Sequence, residues 1–221
     1  VVGLAYIIDM QHSLFSDGPT QHTMLGCMVE HHSRFVQDVL GGETVAEAWM
    51  SSLKDDLAWQ QDTIRLFGKS HLIPRLNAWY GDDGTDFAYS GIPLKPIPWT
   101  KELSDIRTVL LHHTGIDFNS VLANLYRDGF DKMGWHSDDE SQMCPQSPIA
   151  SLSLGVSRKM QFKSKDSTNR ERLEVLLEHG DLLVMYPPTQ EVLKHCIPVM
   201  RRVTAPRINL TFRRHLPILG H

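Results

Sequence analysis

Cysteine is scarce in this chain. The 221 residues hold three, Cys27, Cys144 and Cys196, odd in number, far apart and without a CxxC pair. That argues against a disulfide framework and against a thiolate zinc site. Long apolar runs are missing too: the best candidate near the N-terminus is broken by Asp9 within ten positions, short of the roughly 18 residues that a membrane-spanning helix needs. A soluble chain without a membrane partner is expected. The sequence does not open on a basic stretch, an apolar core and a small-residue cleavage site, so secretion is not indicated. A reducing cytoplasmic setting, or a nuclear one in a eukaryote, is the expectation. The first residue is Val rather than Met, as in a fragment or a processed chain. Internal repeats and low-complexity tracts are absent. What is present, 41% hydrophobic and 22% charged residues, is the composition of one folded domain, read as a monomer. It excludes disordered and collagen-like chains.

The formal net charge of −4 hides an asymmetry. Residues 1–150 carry 10 Lys+Arg against 20 Asp+Glu, and residues 151–221 carry 12 against 6. A basic C-terminal third can face a polyanion, although a solvated surface hairpin gives the same bias.

The pattern of elements divides the chain into three parts. Residues 1–35 show no sustained periodicity and read as an N-terminal extension of unassigned role. Residues 36–118 hold two helices with short strands and loops between them. The first runs from Thr44, where Thr44 and Glu47 make a capping box and Val45, Trp49, Leu53 and Leu57 form an apolar stripe. The second spans 101–113, with Thr100 as N-cap and Gly115 as terminator. Residues 119–221 then read as seven strands: 121–127, 149–154, 159–163, 173–177, 182–186, 195–199 and 208–214, punctuated by Asp128-Gly129, His179-Gly180-Asp181, Pro187-Pro188 and Pro206. Strands after helices, with no helices between the strands, predict an α+β, mainly β fold: a jelly-roll barrel, or double-stranded β-helix, buttressed by the N-terminal helices.

Trp135-His136-Ser137-Asp138-Asp139-Glu140 is the most informative stretch. In an extended segment His136 and Asp138 project to one face, so an imidazole and a carboxylate can share a metal ion. Of the downstream histidines, His179 lies in a turn, and His195 opens a strand and is the better third ligand. Two imidazoles and one carboxylate leave coordination positions open, the arrangement of non-haem Fe(II) oxygenases; zinc is the weaker assignment. Further on, Arg207, Asn209, Thr211 and Arg213 alternate with Ile208, Leu210 and Phe212. A guanidinium aimed into a barrel is costly unless an anion meets it, so a dicarboxylate is a sensible occupant. Asn124 and Tyr126, flanking Leu125, can enter the same cavity.

Asn124-Leu-Tyr-Arg127 with Trp135 to Glu140, Ser147 to Gly155, and Pro206 to Arg213 resemble the AlkB family of Fe(II)- and 2-oxoglutarate-dependent dioxygenases. Pro74 to Asp82 and Thr189-Gln190 through His195 are similar to its nucleic-acid dealkylating branch, and the likeness spans roughly residues 70–215. The resemblance implies that His136, Asp138 and His195 hold Fe(II), that Arg207 with Tyr126 binds the distal carboxylate of 2-oxoglutarate, and that Arg213, Asn209 and Asn124 help to seat that co-substrate. With O2 as the second co-substrate, decarboxylation gives succinate and CO2. A methyl group on a base nitrogen is hydroxylated, and the hemiaminal collapses to formaldehyde. The implied partner is nucleic acid, foremost DNA carrying bases such as 1-methyladenine or 3-methylcytosine, flipped out or single-stranded. For a cationic base, Trp79, Tyr80 and Tyr89 would supply an aromatic surface, and Asp139 and Glu140 negative charge. Lys163, Lys165, Arg170 and Arg172, at a hairpin tip, would meet phosphates. The rival readings are the same chemistry on RNA, protein or lipid, and a silent nucleic-acid-binding barrel.

Overall fold

A computed structural model describes residues 18–66, 69–89 and 92–216. In chain order the elements are β1 (Thr20–Met24), β2 (Cys27–His32), α1 (Phe35–Leu40), α2 (Glu43–Asp56), β3 (Thr63–Leu66), β4 (Lys69–Leu72), β5 (Leu76–Gly81), β6 (Phe87–Tyr89), β7 (Ile92–Leu94), α3 (Lys101–Thr114), β8 (Ser120–Tyr126), β9 (Met133–His136), β10 (Ile149–Gly155), β11 (Arg158–Ser164), β12 (Arg172–Leu177), β13 (Leu182–Met185), α4 (Thr189–Val192), β14 (Leu193–Ile197) and β15 (Arg207–Arg213).

Seven strands pair in the order β1-β2-β13-β10-β15-β8-β5, four more in the order β12-β11-β14-β9, and β3-β4 and β6-β7 form small hairpins. The period of two in the central strands explains the layering. Ile208, Leu210 and Phe212 of β15, Ala150, Leu152 and Leu154 of β10, and Val121, Ala123 and Leu125 of β8 pack in one buried cluster with Ala46 and Leu53 of α2 and Leu103, Ile106 and Leu110 of α3. The opposite residues of the same strands face the four-stranded sheet. There a second cluster forms from Tyr126, Met133, Met160, Phe162, Met185 and Ile197. The two facing antiparallel sheets are the jelly roll, and the helices buttress the larger one.

The second helix forms as its caps dictate: the Thr100 hydroxyl accepts from the Leu103 N–H at 3.2 Å, and Gly115, left-handed at φ 72°, ends it. The capping box of the first helix does not form. α2 begins one residue earlier, behind Gly42, without a side-chain cap, so Thr44 sits inside the first turn. The short α1, closed by left-handed Gly41, carries no periodic signal. All seven expected strands exist within one or two residues of their expected bounds. Residues 20–32 are a hairpin whose β2 pairs with β13, and β5 pairs with β8, so both neighbouring segments complete the barrel sheet. Gly129 is sterically required: a Cβ there would collide with the Met200 carbonyl, where Met200 N–H donates to Gly129 O at 2.8 Å.

Candidate active site

β9 and β14 are neighbours with His136 opposite His195, and this register brings residues 59 positions apart into ring contact, with centroids 4.2 Å apart. Beyond β9 the chain stays extended to Asp138. Its carboxylate lies 3.7 Å from His136 Nε2 and 3.9 Å from His195 Nε2. One donor atom from each of the three falls within 4.8 Å of the others. His179 is elsewhere, in a turn where its Nδ1 accepts from the Gly155 N–H.

The surroundings hold these groups in place. His136 Nδ1 contacts the Gly134 carbonyl at 2.9 Å, which fixes its tautomer and leaves the Nε2 lone pair for a metal. Ser137 Oγ donates to the Leu193 carbonyl, and the Asp138 N–H donates to Gln190 Oε1 at 2.9 Å. Gln190 in turn reaches Met185 Sδ at 3.4 Å. Burial opposes charge on Asp138, but the Arg213 guanidinium, bonded to it at 2.7 Å, and the two imidazoles prevail and hold its pKa at about 2. Burial and His136 push His195 down to about 3. An anionic carboxylate beside a neutral imidazole matches the protonation states that a divalent cation requires.

Behind the triad, β15 and β8 pair Arg207 with Tyr126 and Asn209 with Asn124. Asn124, Tyr126, Asn209, Thr211 and Arg213 line one chamber with the three metal-ligand candidates. Arg207 is completely buried; its Nη2 donates to Ser153 Oγ at 2.9 Å, its guanidinium lies 5.4 Å from the Tyr126 ring centre and is drawn to that side chain, and Nε and Nη1 meet no hydrogen-bond criterion among the described residues. Burial lowers its pKa to about 10, still a cation at neutral pH. Such a site fits a carboxylate.

The substrate residues are placed less uniformly. Glu140 lies in a cavity of about 270 Å³ that opens beside Asp138, with Met143, Cys144, Met185, Gln190 and Glu191 among its walls. Its Oε2 is buried and makes no hydrogen bond among the described residues, and burial raises its pKa against the pull of Arg213. Asp139 is turned outward to Lys165, 2.7 Å away. The aromatic surface is corrected. Tyr80 points to the helices, 2% exposed, with its hydroxyl accepting from the Ala58 N–H, and Trp79, equally buried, donates to the Thr85 carbonyl and meets His215 edge-on. The strand period puts the first on the wrong face, and close packing encloses the second. The Tyr89 side chain lies outside the described residues. Lys163, Lys165, Arg170 and Arg172 do belong to the β11–β12 hairpin and its loop, but Lys165 is spent on Asp139 and Lys163 sits 4.5 Å over the Trp135 ring. Sequence reasoning placed Arg75 and Gln190 in segments that resemble the family but gave neither a role; Arg75 Nε donates to Asn124 Oδ1 at 2.8 Å. It missed Arg158, which ties together the carbonyls of Asp128, Asp131 and Pro198. Arg158 stands outside those segments and carries no pattern.

The triad's donor set suits an iron with open positions, and the enclosed cation of Arg207 suits the far carboxylate of a keto-diacid. Both belong to Fe(II)- and 2-oxoglutarate-dependent dioxygenases, and the protein is an enzyme of that class using Fe(II), 2-oxoglutarate and O2. The family described as "2OG-Fe(II) oxygenase superfamily" matches residues 33–213. Within it the chain belongs to the AlkB family. It is 42% identical over 188 residues to the Mus musculus DNA oxidative demethylase ALKBH2, covering 81% of this chain and 79% of that one. The Homo sapiens protein of the same name is 41% identical, with 80% and 72% covered. The Bos taurus alpha-ketoglutarate-dependent dioxygenase alkB homolog 3 is 38% identical, with 78% and 62% covered. Among solved structures, that of OsALKBH1 has the same fold, with a TM-score of 0.61 at 14% identity over 89% of this chain and 100% of that one. No helix among the described residues is long and apolar enough to cross a membrane.

Proposed function

We propose that the enzyme oxidatively demethylates N-alkylated bases in nucleic acid, foremost DNA with lesions such as 1-methyladenine and 3-methylcytosine, releasing formaldehyde, succinate and CO2. The carrying observation is the cavity beside Asp138 that Glu140 lines, with a buried Glu140 oxygen that makes no hydrogen bond among the described residues. An amino group or a cationic ring edge would satisfy that acceptor, and a neutral methyl donor would leave it stranded. The names of the relatives support the same substrate class.

In this reading His136, Asp138 and His195 hold Fe(II), and Gln190 and Ser137 keep the Asp138 segment in place. Arg207 and Tyr126 take the distal carboxylate of 2-oxoglutarate, and Asn124 and Asn209 border its body. Arg213 offsets the charge of Asp138 and closes the chamber. With its co-substrates bound, the iron supplies the oxidant that hydroxylates the N-methyl group. Glu140 orients the base so that this methyl faces the metal, and collapse of the hemiaminal releases formaldehyde. Because the chamber is enclosed by two sheets, the base enters flipped out or from a single strand. Arg170 and Arg172, at the far end of the β11–β12 hairpin, and Lys163, on the outer face of its sheet, serve as phosphate contacts, and the chain acts as a monomer.

The test is formaldehyde release in a single turnover, with 2-oxoglutarate consumption read in parallel, across methylated and unmethylated DNA and RNA oligonucleotides. Release from the methylated strands alone is expected. Co-substrate consumption without release above control would overturn the substrate assignment.

A further inference from the structure

Among the described residues nothing covers the outer face of the four-stranded sheet. α1, α2 and α3 all pack on the larger sheet, so most side chains of β9, β11, β12 and β14 that alternate with the chamber residues are at least partly exposed, buried Cys196 being an exception. In β11 the buried residues Met160, Phe162 and Ser164 alternate with half-exposed Lys159, Gln161 and Lys163. Lys163 stands directly opposite Lys194 of β14 in the ladder. Trp135 of β9, 38% exposed, completes the group with its ring 4.5 Å from the Lys163 ammonium.

Two local rules are broken at this spot. Like charges facing each other across a ladder are destabilising, yet Lys163 and Lys194 face each other. Neither has a carboxylate within 4.0 Å among the described residues, whereas Lys159 pairs with Glu174 and Lys165 with Asp139. A half-exposed indole beside them adds nothing to the core. Violations that stability does not explain mark functional positions. Their place is also telling, since Trp135 directly precedes His136, about 3.8 Å away along the backbone, with its side chain on the opposite face of the sheet.

The geometry points to a docking surface on this outer face for a single nucleic-acid strand, in which an unpaired base beside the lesion stacks on Trp135 and Lys163 and Lys194 each meet a phosphate. The inference rests on the nucleic-acid reading above and adds a contact outside the chamber. Charge decides the occupant: a cationic ladder next to an indole matches a polyanion that also offers flat rings, which is what sequence-tolerant single-strand surfaces use. Lys163 exchanges the ring for a phosphate on binding. An exposed cation–π contact is weaker than base stacking, so the exchange is favourable.

The experiment uses the full chain and an unmethylated oligothymidine strand, so that lesion recognition contributes nothing. Anisotropy reports binding and indole emission reports stacking. Trp135→Ala should weaken binding about tenfold and Trp135→Phe much less, with Co(II) titration and thermal unfolding checking that the adjoining His136 is undisturbed. Lys163→Ala combined with Lys194→Ala should reduce the slope of log affinity against log salt by about 1.4, the value for two phosphates on a single strand. This second arm decides the matter if Trp135→Ala does not fold. A wild-type enzyme that demethylates oligonucleotides, with both variants binding as it does, overturns the docking surface and leaves the proposed function standing. A reduced salt slope with unchanged binding in Trp135→Ala overturns the stacking. A wild type that neither binds nor demethylates nucleic acid overturns the functional reading and the docking surface together.

Discussion

Ile208, Leu210 and Phe212 leave β15 toward the helices, whereas Arg207, Asn209, Thr211 and Arg213 leave the same strand toward the chamber. The helix side is apolar and closely packed, so its contribution is burial, about 25 cal/mol for each Å² removed from water. The chamber side holds two buried guanidinium groups and a carboxylate, which folding alone would not favour. One strand therefore stabilises the fold with one face and carries the chemistry with the other. Substitutions on the two faces should separate stability from turnover.

The largest effect is expected at Asp138. Asp138→Ala should bring turnover to background. It should also destabilise the metal-free protein by about 3–5 kcal/mol, because it removes one partner of the buried Asp138–Arg213 pair. Adding Arg213→Met should restore much of the stability and none of the turnover, as urea unfolding and 2-oxoglutarate consumption would show; recovery of neither would mean that the pair is not what holds this corner. On the other face, Leu210→Ala should cost about 2–5 kcal/mol while kcat and KM for 2-oxoglutarate per folded molecule stay unchanged. Arg207→Met keeps the volume and removes the cation. The 2-oxoglutarate KM should rise roughly 30-fold or more, with no loss of unfolding free energy in the ligand-free protein. A parallel loss of both would place Arg207 with the stabilising groups.

The smallest effect concerns pH. Asp181 accepts from His31 Nε2 and from the N–H groups of Arg34 and Glu178, all at 2.8 Å. Burial alone would raise its pKa, but the His31 and backbone bonds outweigh it and lower the value below the ordinary 3.8. A depressed folded-state pKa stabilises the protein above the unfolded pKa, and this contribution is lost as pH falls through the folded value. Unfolding free energy should therefore decline across that acidic window, and Asp181→Asn should flatten the decline.

How much of this was legible in the sequence follows from periodicity. The two characters of β15 can be read directly, because period-two alternation over seven residues is unambiguous, and Thr100 and Gly115 mark their helix through chemistry local to its ends. β9 was missed because four residues containing Gly134 carry no alternation. The β1–β2 hairpin was missed because its partner, β13, lies 150 positions downstream. For Tyr80 the residue type suggested a base platform, but register, which only the pairing of β5 with β8 fixes, turned it to the helices. His136, Asp138 and His195 were found because two of them share one short motif and the third opens a strand. Arg158 acts singly and signals nothing, and Gln190 lies in a segment that resembles the family without a pattern that states its role.

The β1–β2 hairpin carries one more consequence. The span shared with the superfamily starts at residue 33, just after β2 ends. Trimming the chain to that span would strip β13 of its neighbour and uncover the void left by Met24, Cys27 and Val29, all buried. An open strand margin above a hydrophobic hollow invites self-association. The shortened protein should precipitate or form oligomers where the longer one stays dispersed.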